Sequence, residues 1–464
     1  MGMKSIEEII QGQRRFFRTG ATRSVPYRKQ ALRKLLAEVN ASEEAIIEAL
    51  KKDLNKSAFE AVATEISYLQ AEIKHCLNHV DQWSRVERRS SSLASFPAYA
   101  KVFKVPYGVT LHISPWNYPF QLSLTPLVSA IAAGNTAVLK PSEYSQHTSA
   151  LLADIVKRVF DENHVTVVQG DASVSQALLN HQWDYIFFTG SVAVGKLVAQ
   201  AAAKHLTPTT LELGGKSPCI VDESAPLALS ARRIVWGKFL NAGQTCIAPD
   251  YVLVHHRVYG EFLTALKTAI ERAYSKTADQ SEDYGRLIHP KHVERMKSFI
   301  DEATVTYGGA TQVESRYVQP TILTDVTPSH RVMQEEIFGP VLPVIPYEND
   351  DEVSQWLNYF PNPLAFYVFS KNKPWAEKWL QEQRFGQASV NDTIMMIAES
   401  NLPFGGVGES GHGSYHGKYG FDTFSREKPV LYRSTWLDVP LRYAPYARKL
   451  TALKGLLRLN RWFS

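Results

Sequence analysis

Between residues 109 and 215, short apolar runs alternate with helical stretches, and this rhythm constrains the fold more than any other feature. "GVTLHI" reads as a strand, 122–133 as a helix closed by "GN", "TAVLK" as a strand, 145–160 as a helix and "VTVVQG" as a strand. A short helix precedes the strand "DYIFFTG", 192–204 is a helix and "TTLELG" a strand. Strands and helices at this spacing imply a parallel sheet covered on both faces. A second series follows: "SPCIVDE", a helix over 226–239, "YVLVHH", a helix over 259–274, "PLAFYVFS", a helix over 374–384 and "GQASVND". At 464 residues the chain is too long for one ordinary core. Two α/β lobes are therefore expected, joined near 213–215. Residues 1–85 read as helical, with Leu32, Leu35, Leu36 and Val39 at helical spacing after Ser24 and Pro26. "RRSSSLASFPAYAKVFKV" breaks that pattern with a Ser-rich turn and an extended hairpin.

The formal charge of +5 is mild, and no run of Lys or Arg suggests a nucleic-acid groove. Cys76, Cys219 and Cys246 are widely spaced, odd in number and follow no metal spacing, which argues for free thiols in a reducing compartment. "MGMKSIEEII" is charged from its fourth residue and has no apolar core for export. Gly2 suggests myristoylation, but Ile6 stands where that motif wants Ser or Thr. No uncharged apolar stretch of about 18 residues exists, so no spanning helix is expected. The chain reads as cytoplasmic.

Several strings carry chemistry. In "NAGQTCIAPD", Cys246 follows Gly243 and precedes Pro249, a setting for a presented thiol rather than a buried one. In "LELGGKSP", Glu212 ends a strand at the lobe junction, where ligands of open α/β sheets bind, and could activate water; it equally reads as a solvated strand-end carboxylate. "TGSVAVGK" turns from strand into helix, and its N–H groups suit a phosphate, although its G-x-x-x-x-G spacing holds only part of the dinucleotide fingerprint. In "SPWNYPF", Asn117 could donate to a developing oxyanion or satisfy its own turn. "QEEIFGPVLPV" offers a carboxylate for ribose hydroxyls and Phe338 beside a nicotinamide, or a plain loop into a strand. His412 and His416 in "GHGSYHG" have a zinc-like interval, but Gly413 and Gly417 argue against a helix and no acidic third ligand is obvious, so no metal is expected.

In this order, "PWNYPF", "FTGSVAVGK", "LELGGKSP", "GQTC", "EEIFGPVLPV" and "LPFGGVGESGHG" closely resemble the motif series of the aldehyde dehydrogenase superfamily, over 105–429. "GQTCIAPDYVL", "HGKYGFDTFSREKPVL" and the short N-terminus resemble its class 3-like branch of fatty and aromatic aldehyde dehydrogenases. The resemblance implies an α/β fold: a Rossmann-type parallel-sheet cofactor domain over 1–85 and 105–212, and an α/β catalytic domain over 213–390. A small bridging β element over 86–104 and 391–435 would make homodimers. It further implies that Cys246 is the nucleophile, that Asn117 and the Cys246 N–H form the oxyanion hole, and that Glu212 activates the water that releases an acid from a cysteine thioester. Trp116, Lys140, Glu143, Gly190, Ser191, Gly195, Glu336 and Phe338 match the family's dinucleotide positions. Lys140 and Glu143 would bind the adenosine ribose, and Glu143 would repel a 2′-phosphate, favouring NAD while leaving NADP usable.

Tyr118, Trp236, Ile247, Ile394, Met395 and Met396 are candidate substrate-pocket residues. They suit a long aliphatic, terpenoid or aromatic aldehyde, unless they merely pack between the lobes. The basic tail 436–464 places Tyr446, Leu450, Leu453 and Leu457 on one helical face. Arg448, Lys449, Lys454, Arg458 and Arg461 supply charge, and Trp462 and Phe463 stand near the end. Residues 446–464 resemble an interfacial helix for peripheral contact with an anionic membrane, or one docked on its own protein. Rival functions are a coenzyme A-acylating dehydrogenase, which Glu212 disfavours; a non-catalytic relative, which would have lost Cys246; and a cysteine hydrolase, which lacks a placed His–Asn pair.

Overall fold

The central strand Val109–Ile113 is buried along its whole length and pairs in parallel on both sides, with Thr136–Lys140 and with Tyr185–Thr189. The structure, a computed structural model, describes residues 4–92 and 95–460. Among them a six-stranded sheet runs 411–412, 209–212, 185–189, 109–113, 136–140, 165–167 across its width. Only the short edge Gly411–His412 is antiparallel in it. The chain order reverses between Val109–Ile113 and Tyr185–Thr189. Loops leaving the carboxyl ends of these two neighbours diverge and open a crevice, the ordinary ligand position of a doubly wound sheet.

A seven-stranded sheet runs 304–307, 321–324, 341–347, 251–255, 218–221, 365–369, 387–390. It is parallel apart from Thr304–Tyr307. Glu212 closes a strand of the first sheet and Pro218–Val221 opens one of the second, so the expected junction is a five-residue turn between the two sheets. The expected hairpin is present: Glu87–Arg89 pairs antiparallel with Ala98–Pro106, which pairs along nine residues with Ser425–Arg433.

Helices cover the sheets as expected. Gln121–Ala133 is buried at every position, and Glu65 caps it by accepting the Phe120 and Gln121 N–H groups at 2.9 and 3.2 Å. Asp53 does the same for Gln146–Val159 through His147 and Thr148, at 3.1 and 2.8 Å. A carboxylate satisfies orphan donors and complements the helix dipole at such ends. One expected helix, "FEAVATEISYLQAEIKHCLNHVDQW", is instead Ala58–Ala61, a π-helical turn over Val62–Ile66, then Ser67–Trp83.

The expected tail helix begins at Leu450, not at Tyr446, because Arg448 takes a left-handed φ of 68° and Lys449 donates to the Pro440 and Tyr443 carbonyls. Tyr446, Leu450, Leu453 and Leu457 are exposed. Arg461, Trp462, Phe463 and the Arg458 side chain lie outside what is described. Among the described residues no helix is long and apolar enough to cross a membrane.

Candidate active site

A cavity of about 730 Å³ lies between the two large sheets. One wall comes from the carboxyl ends of the first sheet's strands: Trp116 and Asn117 after Val109–Ile113, Gly190 and Ser191 after Tyr185–Thr189, and Glu212 itself. The other wall comes from loops that enter the second sheet: Lys216 before Pro218–Val221, Cys246 before Tyr251–His255, Glu336 and Phe338 before Val341–Tyr347. The crevice of one sheet thus faces the entry loops of the other. It brings together all three residues expected to carry the chemistry and five of those expected at the dinucleotide.

Cys246 is half-buried and free. Its loop is locked by Gln244, whose Oε1 accepts the Ile288 N–H at 2.9 Å while Nε2 donates to the Asn241 and Arg286 carbonyls at 2.9 and 3.0 Å. The turn before it holds Gly243 at φ 76°, where a Cβ would stand 2.4 Å from the Gly339 carbonyl. Burial, then the Glu336 and Glu212 carboxylates, push the thiol well above its ordinary value, against the backbone N–H groups of Cys246 and Ile247. Glu212 is 3 % exposed, and neither carboxylate oxygen has a hydrogen-bond partner. Burial raises it far above the carboxylate range. Asn117 is buried; its Nδ2 donates to the Gln244 carbonyl at 3.0 Å and its Oδ1 has no partner.

Glu336 is pushed up to about 8, chiefly by burial and next by Asp250. Its carboxylate abuts Gly214, where a Cβ would stand 2.0 Å from Oε2. The Phe338 ring meets Trp116 edge-on, centroids 5.3 Å apart at 86°. Ser191 caps the helix Val192–Ala203 through the Val194 N–H, so the positive end of that dipole faces the cavity. The helix start, a cleft of this size and paired aromatic edges fit a dinucleotide.

Three expected cofactor residues do not line the cavity. Lys140 is buried, and its Nζ donates to the Pro141 carbonyl at 2.8 Å and to Glu143 at 3.1 Å. Gly195 lies beneath, where a Cβ would stand 2.6 Å from Leu213 Cδ2. The expected substrate residues also lie off this cavity, gathered around 245–247 and 391–396. Tyr118 Oη is 2.7 Å from Thr245 Oγ1. Tyr367 ties the two loops together, donating to the Ile247 carbonyl at 2.6 Å and accepting the Ile394 N–H at 3.3 Å. Ile247, Ile394 and Met396 are buried, whereas Trp236 and Met395 are partly exposed, 38 % and 48 %.

Lys216, Arg295 and His292 are among the cavity residues that escaped sequence reasoning. Lys216 pairs with Asp250 and donates to the Val332 and Glu335 carbonyls, both at 2.9 Å. Arg295 donates to the Glu336 carbonyl at 2.9 Å and so fixes the loop carrying Glu336. The His292 ring contacts Trp116 edge-on at 5.2 Å and is pushed down to about 4 by burial. Lys216 stands inside "LELGGKSP", so its motif was the available signal; His292 and Arg295 sit on the amphipathic helix Pro290–Ile300 with no local cue. His412 and His416 have separate partners, Thr209 Oγ1 at 2.8 Å and Tyr68 Oη at 2.7 Å.

The aldehyde dehydrogenase family model matches residues 1–430. The chain is 42 % identical to 4,4′-diaponeurosporen-aldehyde dehydrogenase of Staphylococcus aureus, covering 98 % of this chain and 100 % of the relative. It is 43 % identical to the dimeric NADP-preferring aldehyde dehydrogenase of Rattus norvegicus, covering 97 % and 99 %. The substrate-bound structure of Staphylococcus aureus AldH superposes with a TM-score of 0.96 at 42 % identity, over 98 % and 100 % of the two chains. The chain belongs to the aldehyde dehydrogenase family and is an aldehyde dehydrogenase, an enzyme that oxidises aldehydes to carboxylic acids with NAD or NADP.

Proposed function

We propose that this enzyme oxidises long aliphatic, terpenoid or aromatic aldehydes through an acyl group held on Cys246. The carrying observation is the convergence on one cavity of a thiol, a buried side-chain amide and a buried carboxylate with no partner on either oxygen. Cys246 Sγ, once deprotonated, bonds to the aldehyde carbon. The carbonyl oxygen then becomes an oxyanion, met by the Asn117 amide and the Cys246 N–H; one such donor is worth about 3–4 kcal/mol. Bound NAD or NADP supplies the hydride acceptor. Glu212, in its ionised form, takes a proton from water, and the hydroxide displaces Sγ to release the acid.

Trp116, Gly190, Ser191, Glu336 and Phe338 would hold the dinucleotide from the cavity wall, with Lys140 and Glu143 at its adenosine ribose and Gly195 packing the helix close beneath. A carboxylate at 143 repels a 2′-phosphate, so NAD is the preferred form, unlike the rat relative's name. Residues 1–85 and 105–212 serve the dinucleotide, 213–390 the nucleophile, and 86–104 with 391–435 the contact of two subunits. Although off the cavity, Tyr118, Ile247 and Ile394 are tied to the Cys246 loop through Thr245 and Tyr367, and this apolar set, with Trp236 and Met395, favours a lipophilic substrate; the Staphylococcus aureus relative is named for 4,4′-diaponeurosporen-aldehyde.

One assay tests the reading. NADH absorbance is followed over an aldehyde panel with wild type and Cys246→Ala. The variant should lose turnover by at least about 10³-fold while binding NAD as tightly as before. Undiminished turnover would refute the nucleophile, and a preference for short polar aldehydes would refute the substrate class.

A further inference from the structure

Behind the nucleophile loop lies a buried cluster that the reaction above does not use. Glu60 sits in the short helix Ala58–Ala61, where Ser57 Oγ accepts its N–H at 3.2 Å. Its buried carboxylate accepts the Asn241 N–H at 3.2 Å. Asn241 and Ala242 are consecutive left-handed residues, at φ 52° and 53°. Asparagine tolerates that region, but alanine has neither its local hydrogen bonds nor glycine's freedom, so such a turn persists only when its surroundings hold it.

What Asn241 holds is the reactive loop. Its Nδ2 donates to the Asn117 carbonyl at 2.8 Å and to the Gln244 carbonyl at 3.2 Å. The Gln244 carbonyl also receives Asn117 Nδ2, and Cys246 follows two residues later. We propose that Glu60 is a positioning residue for the nucleophile loop: its carboxylate grips the left-handed turn through the Asn241 N–H, and the turn sets Cys246 against Asn117. This rests on the reading of Cys246 and Asn117 given above.

The other polar groups near Glu60 are committed elsewhere or oppose its charge. Lys56 attracts it, but is ion-paired with Glu65 and lies 4.2 Å over the Tyr118 ring. Glu65 is occupied by the Phe120 and Gln121 N–H groups. Asp283, from the segment after Tyr259–Tyr274, and Glu65 repel its charge, and Tyr118, Tyr274 and Tyr284 lie within range of that charge. Burial outweighs Lys56 and the Asn241 bond and pushes Glu60 up to about 7. A hydrogen bond to a carboxylate is roughly twice as strong as one to its neutral acid, so the grip tightens as pH rises through that value.

Glutamine is neutral at every pH and stands in for protonated Glu60. kcat/KM for one aldehyde at saturating NAD is measured from pH 6 to 9 in wild type and Glu60→Gln. The ratio of wild type to variant should be near one at pH 6 and rise about fivefold by pH 9, with a midpoint near 7. A ratio constant across the range would overturn the proposal, since a merely structural carboxylate would shift activity equally at all pH. Should the variant not fold, hydrogen exchange of the 239–247 backbone in wild type, corrected for intrinsic rate, replaces it. Greater protection at pH 9 than at pH 6 supports the grip, and equal protection overturns it. A flat ratio beside an inactive Cys246→Ala removes Glu60 alone, whereas an active Cys246→Ala removes the reading of the site on which it rests.

Discussion

Cys246 sits in surroundings that keep its proton on. Burial contributes most, and the carboxylates of Glu336 and Glu212 add to it. The thiolate forms only at a pH where Glu336, pushed up to about 8, has itself ionised, so the two charges meet and deprotonation needs either a proton acceptor or the departure of the Glu336 carboxylate. Glu336 is the charge to remove first, because it stands ahead of Glu212 in raising the thiol and its carboxylate abuts Gly214 and accepts the Gly215 N–H. Replacing it with glutamine removes one repulsive charge and keeps the volume. The Cys246 thiol of Glu336→Gln should therefore deprotonate at lower pH, and its alkylation by iodoacetamide in the enzyme without dinucleotide should reach half its maximum rate at a pH about one unit lower. An unshifted alkylation profile would mean that Glu336 is electrostatically silent toward the thiol.

The helix Val192–Ala203 presents its start to the cavity because it lies close against the strand leading to Leu213. Gly195 makes that approach possible, since a Cβ would stand 2.6 Å from Leu213 Cδ2 and 3.0 Å from Cδ1. In Gly195→Ala the helix must lift or Leu213 must turn. Stability should fall by about 1–3 kcal/mol, as overpacking usually costs. The Kd for NAD should rise several-fold, while the rate of Cys246 alkylation stays unchanged. Tight NAD binding in a destabilised variant would show that helix placement does not matter to the dinucleotide. This element was legible from sequence: "FTGSVAVGK" announces a strand, a capped turn and a helix in nine residues. The strands from 109 to 212 were legible for the same reason, as apolar runs cut by glycine and polar turns. What escaped was structure fixed only by distant contacts. The π-helical turn at Val62–Ile66 interrupts a good helical sequence beside the buried Lys56–Glu65 pair, and Arg295 reaches Glu336 from forty-one residues away. Glu60 likewise looks like any helix-start glutamate until its carboxylate is found against Asn241.

At the scale of the whole molecule, the three-stranded sheet has no role in either large sheet. Its nine-residue strand Ser425–Arg433 pairs on one side with Ala98–Pro106 and, among the described residues, has a free edge on the other. The second sheet likewise ends at Gln387–Val390 with a free edge and Val390 partly exposed. Natural proteins rarely leave a long edge strand open, because its unpaired N–H and C=O groups recruit another chain. The small sheet is also stiffened where a contact would need it: Tyr99 and Tyr432 stack at 4.9 Å with Lys101 over both rings, and Leu431 stands 52 % exposed. Two copies related by a two-fold axis could cover both edges with one self-complementary contact. The enzyme should therefore run in solution with twice the mass of the 52.2 kDa chain at micromolar concentration. In an isolated subunit an exposed leucine exchanged for aspartate changes stability by no more than about 0.5 kcal/mol, so Leu431→Asp should leave the fold intact. In a dimer built on this sheet the same exchange buries an unpaired charge, and the mass should fall to that of one chain. Light scattering behind gel filtration reads both outcomes. A single-chain mass for the wild type would refute the dimer, and a double-chain mass retained by Leu431→Asp would move the contact away from this face.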